Sequence, residues 1–66
     1  MQTDEATLRK TVAKNIAAYR KAHHDTQLDL ATKLNYSDKS VSKWERGEGL
    51  PDVYILAQIA QLYGIT

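Results

Sequence analysis

Apolar residues recur at helical spacing along almost the whole chain, and no stretch alternates cleanly as a strand would. Leu8, Val12, Ile16 and Tyr19 fall on one side of a first amphipathic helix, predicted over about residues 4–23. Asp4 and Glu5 suit the positive end of its dipole. Thr26 begins a second element. Thr26-x-x-Asp29 has the spacing of a capping box, with Asp in place of the usual Glu, and Leu30, Ala31 and Leu34 form the inward face. Asn35 tolerates the left-handed conformation that ends helices, which limits this helix to about 26–34. Ser37 is the next N-cap, Asp38 lies in the first turn and Gly47 is a stop, giving a third helix over 38–46. Pro51 and Asp52 open a fourth over about 52–63, proline having no N–H to waste in a first turn. Its expected core stripe is Val53, Leu56, Ile59, Ala60 and Tyr63, with Tyr54 and Ile55 outside it. Gly64 followed by Ile65 has the form of a Schellman end, with Ile65 folding back onto the helix.

These elements make an all-α fold with two short helices joined by a tight turn. Such a pair is a helix-turn-helix in form, and structural helical hairpins share that form. The 66 residues hold a single domain. At this size a chain buries only about 60% of the surface its unfolded state exposes, too little for most two-layer enzyme folds. With no cysteine there is neither a disulfide framework nor a thiolate zinc site, which fits a reducing compartment. No apolar run approaches membrane-spanning length, and the polar first residues lack the apolar core of a signal peptide. We therefore expect a cytoplasmic protein.

Net charge is only +1, but its distribution is uneven. All nine Lys and Arg lie before Gly47, and the rest of the chain carries acids alone. The basic half contains the third helix, whose Val41, Trp44 and Glu45 turn toward the body of the domain. Its other side presents Lys39, Ser42, Lys43 and Arg46 at i, i+3, i+4 and i+7. Lysine and arginine donate to guanine edges or to phosphates, and serine reaches either. A solvated charged face has the same composition. Glu45, at the edge of the buried side, needs a partner, because an unpaired buried carboxylate is costly. Arg20, near the end of the first helix, is the candidate.

The string Thr26-Gln27, Leu30-Ala31, Leu34-Asn35-Tyr36-Ser37 and SVSKWERGEGLPD (40–52) resembles the Cro/C1-type (XRE) helix-turn-helix of phage and bacterial repressors. The likeness covers about Leu8 to Thr66. It implies a lambda-repressor-like domain of four to five helices that reads double-stranded DNA with the third helix in the major groove. On matching positions, Asp38, Lys39, Ser42 and Lys43 are the implied base contacts. Gln27 and Arg46 are the implied phosphate contacts, with Gln27 also bracing the third helix. An Arg20–Glu45 salt bridge is a feature of the same family, and Ala31, Leu34, Val41 and Leu56 match its core positions.

Departures from the family pattern also carry information. Asn35 stands for the usual glycine of the turn, and Leu28 for a residue that is more often polar. Glu48-Gly49-Leu50 lacks the basic residues some members place against phosphates. Asp38 suits either cytosine N4 or the helix dipole. Many relatives continue beyond this point into a fifth helix. The expectation is therefore an N-terminal domain of a longer chain, with Tyr54 and Ile55 free to meet a following segment or a second subunit. The implied function is a transcriptional regulator of the repressor kind, bound as a homodimer to a pseudo-palindromic operator. The alternative is an antitoxin-type interaction module that binds a toxin and autoregulates its operon. An enzyme is not expected, since there is no cysteine nucleophile, phosphate loop or evident carboxylate pair. No cofactor or metal is expected either, because adjacent side chains such as His23 and His24 diverge on a helix and chelate poorly.

Overall fold

The computed structural model describes residues 4–64, and four helices follow one another in it: α1 (Glu5–Ala22), α2 (Gln27–Leu34), α3 (Asp38–Glu45) and α4 (Val53–Leu62). No strand occurs among the described residues. The expected return of Ile65 lies outside them.

Each helix starts on a side-chain cap. Asp4 accepts from the Thr7 N–H at 2.7 Å, and Asp52 accepts from the Ile55 N–H at 2.9 Å. Asp4 and Asp52 are thus the caps themselves, and Pro51 stands one residue before its cap, outside the first turn where the sequence placed it. The capping box forms in full: Thr26 Oγ1 accepts from the Asp29 N–H at 3.0 Å, and the Asp29 carboxylate accepts from the Thr26 N–H at 2.8 Å. Ser37 accepts from the Ser40 N–H at 3.2 Å. Asn35 is left-handed (φ 60°, ψ 38°), which lets the Tyr36 N–H reach the Ala31 carbonyl at 2.8 Å and reverses the chain into α3. His24 plays the same part after α1 with φ 60°, and the Asp25 N–H donates to the Arg20 carbonyl.

The core is built from Ile16, Leu30, Ala31, Leu34, Val41, Trp44, Ile55, Ile59 and Tyr63. Leu30, Ala31 and Val41 are fully enclosed, and α3 is held between α1 and α2. Two faces differ from the expected ones. On α1 the buried line is Ala13, Ile16 and Arg20, whereas Leu8 and Tyr19 are exposed and Val12 only partly covered. The helix is rolled so that Arg20 points at α3. On α4 the buried line is Ile55, Ile59 and Tyr63. Ile55 is 3% exposed and Val53 is 82% exposed, the reverse of the expected assignment. Leu56 and Ala60 are partly buried. Apolar residues occupy nearly every side of α4, so periodicity alone leaves its orientation open, and packing against α2 decides it. The flanks turned out of the core meet one another. Val12, Asn15 and Tyr19 of α1 and Leu56 and Ala60 of α4 line an open apolar groove over Ile16 and Ile59.

Candidate nucleic-acid interface

An eight-residue helix has little stability of its own, so α3 must be held by the rest of the domain. Val41 and Trp44 fix its inner side, and the Tyr36 ring lies tilted against Trp44 with centroids 5.5 Å apart. Its last residue is held by charge. Arg20 grips the Glu45 carboxylate with two parallel bonds, Nε to Oε2 at 2.6 Å and Nη2 to Oε1 at 2.9 Å. The third donor, Nη1, reaches the Asp25 carbonyl at 2.7 Å. Gln27, the first residue of α2, adds a bond from Nε2 to Glu45 Oε1 at 3.0 Å. Both charged side chains are about nine-tenths buried, 11% exposed for Arg20 and 8% for Glu45. Burial alone would push the Glu45 carboxyl up. The bonds from Arg20 and Gln27 outweigh it and hold the group below the usual carboxylate range. The same pairing raises Arg20. One carboxylate thus ties α1, α2 and α3 together.

A second polar cluster, not anticipated from the sequence, lies beside the first. Asp25 accepts from Lys33 Nζ at 2.8 and 3.0 Å and from the Tyr63 hydroxyl at 3.0 Å. The His23 ring lies on Tyr63 at 4.7 Å. Lys33 and then Tyr63 lower the Asp25 carboxyl against its partial burial. Burial, followed by the bond to Asp25, raises the Tyr63 phenol. The signal in the sequence is the hydroxyl of Tyr63 on a core-facing position, which needs a partner when buried.

With its inner face fixed, α3 turns Asp38, Lys39 and Lys43 to solvent, and Ser42 is half-buried beside them. These four implied base contacts share one exposed side. Arg46 caps the helix, donating through Nη1 to Ser42 Oγ and through Nη2 to Glu48 Oε1 at 3.1 Å. The turn that follows is compact. Gly47 adopts φ +74°, and the Glu48 N–H donates to the Lys43 carbonyl at 3.1 Å. A Cβ on Gly49 would stand 3.4 Å from Lys43 Cε, so the turn closes directly on the lysine stem. Gln27, the other implied phosphate contact, is half-buried at the start of α2, where its amide braces Glu45. Sequence reasoning missed the Glu48–Arg46 pair, although an acid two residues beyond an arginine at a helix end is a visible signal.

No helix among the described residues is long and apolar enough to cross a membrane, and no cluster of His, Asp and Glu there has the grouping of a metal site. Two short helices at a left-handed turn, with the second clamped from behind and Lys39 and Lys43 exposed on its outer side, are the arrangement a DNA-reading unit requires. Residues 16–66, most of the chain, match a family model described as Helix-turn-helix, and the chain belongs to that family in its Cro/C1 (XRE) form, a family of DNA-binding transcription regulators.

Proposed function

We propose that this domain binds double-stranded DNA sequence-specifically, laying α3 in the major groove and acting as a repressor. Asp38, Lys39, Ser42 and Lys43 face base edges, and Gln27 and Arg46 face phosphates. The observation that carries the reading is the clamp behind α3: a buried carboxylate with three side-chain donors orients the helix, leaving Lys39 and Lys43 exposed on its outer side. Base readout needs that rigidity, because a bidentate contact discriminates only when its donors are already aimed. The working unit is a homodimer on a pseudo-palindromic operator, with half-sites about one helical turn apart. The compartment is the cytoplasm. With so few cations near phosphates, binding to non-target DNA is weak and steeply salt-dependent.

Selection of bound duplexes from a random pool at about 100 mM salt tests this, comparing wild type with Lys39→Ala/Lys43→Ala. An enriched motif that disappears in the double variant is the expected result, and each lysine should carry about 1–3 kcal/mol at one or two base pairs. A motif unchanged in the double variant would remove these lysines from the base contacts. No enrichment at any salt would overturn the reading, whereas a small protein that co-purifies with the domain would favour the antitoxin-type alternative, which adds a different surface. Tyr54 and Val53 are exposed on α4, and the groove between α1 and α4 offers apolar area to a protein partner.

A further inference from the structure

At the far end of α3 three side chains form a chain: Ser42 Oγ accepts from Arg46 Nη1, and Arg46 Nη2 donates to Glu48 Oε1 at 3.1 Å. Arg46 is the residue placed at a phosphate in the DNA-binding reading, so a carboxylate already holds the face of its guanidinium that an anionic oxygen would take. Glu48 is held there by its backbone. Its own N–H donates to the Lys43 carbonyl, and the left-handed Gly47 turns the chain back, so its backbone is fixed to the end of the recognition helix. The Lys43 stem lies against Gly49, the next residue. The bond with Arg46 lowers the Glu48 carboxyl and raises the arginine, with a further contribution from Lys43 to Glu48, so the acid is ionised at neutral pH.

We propose that Glu48 is an internal stand-in for a DNA phosphate, occupying Arg46 in the free protein and limiting how much the C-terminal end of α3 contributes to charge-driven binding. The inference rests on the DNA-binding reading above. Both partners are more than half exposed, so the pair is weak and exchangeable, as a competitor must be. A phosphate that reaches Arg46 has to displace the carboxylate or share the guanidinium with it. Removing the carboxylate gives the duplex one more uncompensated cation. Affinity varies with salt to a power of about 0.9 per phosphate neutralised, so at about 0.1 M one added contact is worth up to about eightfold.

The test is a two-by-two set: wild type, Glu48→Gln, Arg46→Gln and the double variant. Each is titrated by anisotropy onto a labelled random-sequence duplex between about 50 and 200 mM salt. Glu48→Gln should bind about three- to eightfold tighter at 100 mM, and its plot of log affinity against log salt should steepen by about one. In the Arg46→Gln background the same change should give no gain, because the acid acts through that arginine. An equal gain in both backgrounds would overturn the proposal in favour of a general field effect. Weaker binding by Glu48→Gln would make the acid a positioning residue for Arg46 and overturn it too. Thermal melts of all four proteins guard against a folding artefact, and these exposed changes should leave them alike. Wild type that binds no duplex at 50 mM salt would sink the DNA-binding reading and this inference together. Wild type that binds, with Glu48→Gln indistinguishable from it, would sink the inference alone.

Discussion

Arg20→Met should be among the most damaging substitutions in the chain, and its magnitude follows from the hydrogen bonds that arginine makes. Methionine keeps the apolar stem of arginine but leaves the Glu45 carboxylate with Gln27 alone, in a site only 8% exposed. Removing one partner of a buried ion pair costs about 3–5 kcal/mol, and the slight exposure of this pair favours the lower end. Arg20 also satisfies the Asp25 carbonyl, and an unsatisfied buried acceptor costs about 1 kcal/mol or more. Loss of about 4 kcal/mol compares with a total of about 3–10 kcal/mol expected for a 66-residue domain, so the variant should lose about two-fifths of its stability or more. The informative partner is Arg20→Met/Glu45→Leu. It removes both charges, keeps the Asp25 carbonyl unsatisfied, and should recover to within about 1–2 kcal/mol of wild type, because apolar replacement of a buried pair is often neutral.

Urea unfolding followed by Trp44 fluorescence and far-ultraviolet circular dichroism measures both variants. The pH dependence supplies the sign. In wild type the Glu45 carboxyl is lowered in the fold, so its contribution is present above the ordinary carboxylate range and is lost as pH falls through the folded value. In Arg20→Met, burial without the arginine raises the same group, so protonation relieves the fold as pH falls. The gap between the two proteins should therefore narrow from pH 7 toward pH 4. A single variant that loses less than about 1 kcal/mol, or a gap that is constant with pH, would refute the view of Glu45 as a buried charge dependent on Arg20.

Two further outcomes follow from local geometry. Asn35 holds φ 60°, so Asn35→Val should lower stability by about 1–2 kcal/mol while Asn35→Gly leaves it nearly unchanged, measured by thermal melts. Tyr63→Phe removes the hydroxyl bonded to Asp25 and should cost about 1 kcal/mol at pH 7. Because the fold raises the Tyr63 phenol, its contribution is intact below the ordinary tyrosine value of 10.0 and is lost as pH rises above it. Wild type should therefore destabilise more steeply in alkali than Tyr63→Phe in chemical denaturation at pH 9 to 11.

Much of this molecule was legible in its sequence where the governing chemistry is local. Thr26 with Asp29, Ser37, Asn35 and Gly47 mark helix ends through bonds spanning a few residues, and α2 and α3 lie within a residue of their expected bounds. The Arg20–Glu45 pair was legible for a different reason: a carboxylate turned inward needs a cation, and few were within reach. The faces of α1 and α4 were not. Leu8 and Tyr19 satisfy the helical period as well as Ala13 does, and the choice between them is made by where α3 lies. Val53 and Ile55 exchanged roles because α4 is apolar on nearly every side. Tyr63 reaches Asp25 from 38 residues away along the chain, and no local rule links them. On the outer side of α3, Lys39, Ser42 and Lys43 were legible as a patterned face, while Glu48 was read only as a missing base and not as a partner for Arg46.

The clamp on Glu45 has a kinetic side. Its arginine comes from α1 and its amide from α2, so residues 26–47 taken alone would lack the guanidinium that holds α3. Helix α3 is therefore not a module that folds first and is later mounted on a scaffold. Its amides should exchange with solvent only when the whole domain opens, in step with those of Leu30 and Ala31. A mutation that loosens the end of α1 near Arg20 would then reduce the population of molecules with α3 in place and, on the proposed function, weaken DNA binding without changing the affinity of those that remain.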